Sequence, residues 1–93
     1  MADNQVLPMK LSKSAEKLEK YRQRLSDGKA DEIKLSHVER MIEKIKAKKE
    51  KLQGELGEAE SDGRRERLQR KIEVAEAQLE NAAWLMKELG TAG

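Results

Sequence analysis

Between Val38 and Leu89 the apolar residues recur at alternating spacings of four and three, in two runs separated by Ser61-Asp62-Gly63. The first run is Val38, Ile42, Ile45, Lys49, Leu52, Leu56 and Ala59, interrupted only by Lys49, with Met41 beside it. The second is Leu68, Ile72, Ala75, Leu79, Ala82, Met86 and Leu89, without interruption. Such spacing draws one stripe along an α-helix, whereas a strand alternates its faces every residue. A stripe this narrow is stable only when a second helix covers it. The chain has no Phe, one Trp and one Tyr, so the core must be filled by Leu, Ile, Val, Met and Ala. The expected fold class is all-α. It is a coiled-coil-like antiparallel helical hairpin plus a shorter N-terminal helix, a three-helix arrangement open to completion as a bundle by dimerisation.

Charge sets the direction of the pairing. Lys44, Lys46, Lys48, Lys49 and Lys51 precede Glu55, Glu58 and Glu60, while Arg64, Arg65, Arg67, Arg70 and Lys71 precede Glu73, Glu76 and Glu80. Within one helix these blocks oppose the macrodipole and place like charges four residues apart. Folding the chain back near Ser61 brings acid beside arginine and lysine beside glutamate. Exposed pairs contribute only about 0.2–1 kcal/mol each, so they select register and direction more than they stabilise.

The remaining punctuation divides the chain. Residues 1–8 read as a flexible arm ending at Pro8, and 9–27 as a short amphipathic helix carrying Leu11, Ala15, Leu18, Tyr21 or Arg22, and Leu25. Ser12 or Ser14 is the expected cap at its start and Asp27-Gly28 its end. Residues 28–35 form a connector in which Ile33 and Leu35 alternate with charged side chains, as in a short extended segment pressed onto a core. Ser36 and Glu39 fit a capping box at the start of helix two. The hairpin covers 36–90 with its turn at 61–63, and 91–93 is a tail after Gly90, the expected helix stop. Gly54 and Gly57 inside helix two, each costing about 1 kcal/mol against Ala, mark either a weak last turn or, the favoured reading, a close approach of two backbones.

No catalytic or metal-binding constellation is visible. His37 is the single histidine and there is no cysteine, which removes disulfides, thiol chemistry and thiolate metal sites. Gly54-Glu55-Leu56-Gly57 lacks the Lys and the preceding strand of a phosphate loop. The expectation is a protein that is not an enzyme, needs no cofactor or metal and takes no small-molecule substrate. No uncharged run approaches the ~18 residues of a membrane span, and residues 1–10 lack the order of an export signal. A cytoplasmic location and no membrane partner follow as expectations.

Partners remain. Ala82, Ala83, Trp84, Leu85 and Met86 make helix three apolar around most of its circumference, so helix two alone cannot cover it. The candidate protein interface is Trp84, Leu85, Ala77 and Val74, with Leu18 and Leu25 of the first helix. The partner is a second copy, as a homodimer, or another helical protein. An RNA, DNA or ribosome contact through Lys46, Lys48, Lys49, Arg64, Arg65 and Arg67 is the less favoured reading. Net charge is only +2, and neighbouring glutamates compensate both segments.

Overall fold

The computed structural model describes residues 10–92. Among them are three α-helices, α1 (Leu11–Ser26), α2 (Leu35–Glu58) and α3 (Asp62–Ala92), with one 3-10 turn at Ala30–Glu32. The arm at 1–8 and Gly93 lie outside the described residues. α3 has 31 residues. At 1.5 Å per residue it spans about 46 Å, which accounts for the long dimension of a molecule measuring 48 × 33 × 18 Å.

α2 and α3 form the antiparallel hairpin. Both expected charge blocks meet across it: Lys49 Nζ lies 3.2 Å from Glu76 and Arg64 3.5 Å from Glu55. α1 then closes the hairpin within the same chain. Leu11 shares a concavity with Lys48, and Arg24 one with Lys34 and His37, so α1 runs antiparallel to α2, and Ser14 and Gln78 join it to α3. The main core holds Leu18, Tyr21, Ile33, Val38, Met41, Ile45, Ala75, Ala82 and Leu85. A second cluster, Leu52, Ala59, Leu68 and Ile72, continues between α2 and α3 toward the turn, with Leu11 at the start of α1 packed against it.

A polar clasp fixes α1 against α3. Ser14 is fully buried, its hydroxyl hydrogen-bonded to Gln78 Oε1 and 3.0 Å from the Leu11 carbonyl. That carbonyl also accepts from Gln78 Nε2 at 2.9 Å. Ser14 is therefore no cap, and neither is Ser12. Lys10 occupies the N-cap without a side-chain bond. The far end of α1 follows expectation. Gly28 adopts φ +75°, and the Gly28 and Lys29 N–H groups donate to Leu25 and Arg24 carbonyls at 3.2 and 2.8 Å. This is a Schellman closure that a side chain would strain.

Several other local expectations are corrected. The connector holds a 3-10 turn, with Ile33 buried but Leu35 exposed as the first residue of α2. Burying Ile33 fixes where the chain enters α2, so Lys34 becomes the N-cap and no side chain caps the end. Ser36 is already inside the first turn, and the capping box with Glu39 does not form. A Cβ at Gly54 or Gly57 would meet nothing within 4 Å, so neither glycine marks a close approach. The hairpin turn lies at 59–61, and Asp62 and Gly63 belong to α3. Ser61 Oγ accepts from the Arg64 N–H at 3.3 Å, and Arg65 Nε donates to the Ala59 carbonyl at 3.0 Å. These two bonds satisfy backbone groups at both helix ends. Gly90 does not stop α3, which continues to Ala92.

Candidate functional site

Two surfaces stand out once the core is accounted for. The first is the outward face of α3. Leu85, with no exposed area, and Leu18, at 5%, are core residues that α1 and the hairpin bury between them. Leu25 is half-buried and packs on the same core. Leu18 and Leu85 are thus covered within the chain, unlike the exposed face expected of them, while Leu25 keeps part of its surface. Trp84 and Val74 are each 46% exposed, and Ala77 is exposed as well. At spacings of three, four and three, Val74, Ala77, Asn81 and Trp84 lie in one stripe on the side of α3 turned from the core. Glu73, Glu80 and Lys87, all exposed, flank that stripe at intervals of seven.

The second surface is a groove between α1 and α2. Two adjoining concavities, of about 200 and 350 Å³, share Lys17, Tyr21 and His37. Arg40, Met41 and Lys44 complete one; Lys20, Arg24, Lys34 and Glu32 complete the other. Six Lys and Arg side chains thus face a single carboxylate. A further concavity of about 400 Å³, lined by Lys10, Leu11, Ser12, Lys48, Arg70, Lys71 and Val74, includes no acidic residue. It prolongs the basic surface toward the hairpin arm. Among the described residues none of these cations is ion-paired, although the Arg24 guanidinium lies 5.9 Å from the Tyr21 ring centre.

The local reason for the groove is visible in α1. Lys10, Lys13, Lys17, Lys20 and Arg24 follow the same three-four alternation as the apolar seams, displaced to the flank beside α2. On α2, His37, Arg40, Lys44 and Lys48 line concavities shared with residues 10–24, while Glu39, Glu43 and Glu50 line none of the three. The expected nucleic-acid residues are scattered by comparison. Lys49 and Arg64 are engaged in ion pairs within the hairpin, and Arg65 closes the turn. Lys46 and Arg67 are exposed away from the groove. Lys48 alone joins the basic surface. Contiguous basic runs singled out other cations than those that line the groove, which follow the three-four periodicity of lysines in α1.

Among the described residues no group of three or more His, Asp or Glu side chains could hold a metal ion. No described helix is long and apolar enough to cross a membrane. No protein-family model matches the chain, and no significant match was found among curated proteins or solved structures.

Proposed function

We propose that this chain is a non-catalytic helical interaction module that self-associates through the outward face of α3 around Trp84. The observation that carries the reading is a large indole left 46% exposed on a helix whose other large apolar side chains are mostly covered. It shares its stripe with an equally exposed Val74. Exposed aromatic and branched side chains on one line are the usual anchors of helix–helix interfaces.

The stripe is complementary to itself when two copies of α3 run antiparallel about a two-fold axis beside Leu79. Val74 then meets Trp84 of the second copy, and Ala77 meets Asn81, so the large indole fills the space beside a smaller side chain. On the flank Glu73 approaches Lys87 of the second copy. Glu80 approaches its own equivalent, the one repulsive contact of the register. An isologous pairing of this kind closes on itself and does not propagate. A single helix seam is at the small end of stable interfaces, so affinity on the order of micromolar is expected. The same reading places the module in the cytoplasm, where a protein held by packing and without disulfides functions unaided.

Sedimentation across a concentration series tests this. A dimer is expected, Trp84→Glu is expected to sediment as a monomer with unchanged helical content, and Glu80→Gln to associate more tightly. A chain that stays monomeric well above micromolar concentration overturns self-association. If it nonetheless captures a different helical protein through Trp84, the face is retained with a heteromeric occupant.

A further inference from the structure

We infer that the groove between α1 and α2 binds the phosphodiester backbone of a nucleic acid, independently of base sequence. The groove walls share no residue with the α3 stripe, although Val74 borders the concavity that prolongs them, and phosphate binding there does not require self-association.

Net charge of +2 hides a strong segregation. Lys17, Lys20, Arg24, Lys34, Arg40 and Lys44 face one another across the groove, with Glu32 the only carboxylate on its walls. Holding six like charges together without internal partners is unfavourable for folding, and a bound polyanion converts that repulsion into attraction. From Lys10 to Arg24 the α1 cations span fourteen residues, about 21 Å at the helical rise. The row is matched to a ligand that carries charge at every repeat. Binding such a ligand releases condensed counterions, which supplies the driving force.

The remaining chemistry of the groove narrows the class. Tyr21 and Met41 on its floor are buried, so an amphipathic peptide would find no apolar anchor there. A membrane surface would need an apolar face beside the cations, and the α1 face away from the core carries Glu16, Glu19 and Gln23. Tyr21 is too covered to stack on a base, so recognition is confined to phosphates.

The test is fluorescence anisotropy with the full chain and labelled twenty-nucleotide single-stranded RNA, single-stranded DNA and duplex DNA at low salt. Binding to at least one is expected, and comparison of the three assigns the source of the phosphates. Six contacts on a single strand correspond to a log–log salt slope of about −4. Lys17→Gln with Lys20→Gln and Lys44→Gln should flatten the slope to about −2 and reduce affinity about tenfold or more. Arg22→Gln with Lys46→Gln and Arg67→Gln removes the same charge outside the groove and should leave affinity near that of the native chain. All six positions are exposed or half-exposed, and circular dichroism with thermal melting establishes that both variants are folded. Relief of repulsion should raise the melting temperature of the groove variant. Absence of binding to all three probes at low salt overturns the inference. So does equal loss of affinity in the two triple variants, or binding of polyglutamate or of phosphatidylserine vesicles as tight as that of the nucleic acids.

Discussion

Gly54 and Gly57 sit inside α2 with open space where a Cβ would stand, and neither has a positive φ. Their cost is the backbone entropy of glycine with no compensating contact. Gly54→Ala should therefore stabilise the chain by about 0.5–1 kcal/mol, which for a domain of this size raises the melting temperature by about 4–8 °C per kcal/mol. Gly28 is the opposite case. Its φ of +75° is needed for the closure of α1, so Gly28→Ala should lower the melting temperature. The buried Ser14–Gln78 pair makes a sharper prediction. Ser14→Ala leaves the Gln78 Oε1 without its partner and should cost about 1–3 kcal/mol. Combining it with Gln78→Leu should cost less than the two single changes added together, because the second change removes the orphaned group. Chemical denaturation of the four proteins in that cycle measures the coupling.

At the scale of elements, seams and ends behaved differently. The apolar alternation of α2 and α3 and the inversion of their charge blocks were sufficient to indicate an antiparallel hairpin, and Lys49–Glu76 and Arg64–Glu55 are contacts between the expected blocks. These pairs are partly exposed and hold register through sign. Lys49→Glu should weaken the hairpin by up to about 1 kcal/mol, and adding Glu76→Lys should recover most of it. Denaturation midpoints of the single and double variants decide this. The element ends were less legible, because a serine before an apolar run caps a helix only if the chain enters there. Ile33 packing moved the start of α2 to Leu35, and the turn moved to 59–61, where Ser61 caps α3. Ser61→Ala should cost about 0.5–2 kcal/mol. The same substitution at Ser36, which caps nothing, should change the melting temperature far less.

Across the whole molecule α1 is the element that converts a two-helix seam into a core. Leu18 and Tyr21 pack in one cluster with Val38, Met41, Ile45 and Leu85. Deleting residues 1–27 should leave an expanded, partly helical hairpin that binds a hydrophobic dye and melts without a sharp transition. Helical content and dye fluorescence of the truncated chain measure this. α1 also separates the two candidate surfaces. One of its flanks forms the basic groove with α2, while its apolar side covers Leu85 and leaves Trp84 facing outward. The expected interface was mixed for this reason. Trp84, Val74 and Ala77 were assigned to the outside from spacing alone. Leu85, Leu18 and Leu25 went to the core because α1 folded back on its own hairpin.

Local pattern alone determined that this chain is helical, that its second and third helices pair antiparallel, and which residues line their shared seam. Those properties follow from periodicity and charge order, both written along a single helix or between neighbours in sequence. Tertiary structure decided where α1 lies, which apolar residues it covers and which cations it gathers opposite α2. These depend on contacts between residues distant in the chain, such as Ser14 with Gln78, and one helix's pattern does not specify which flank its neighbour will occupy.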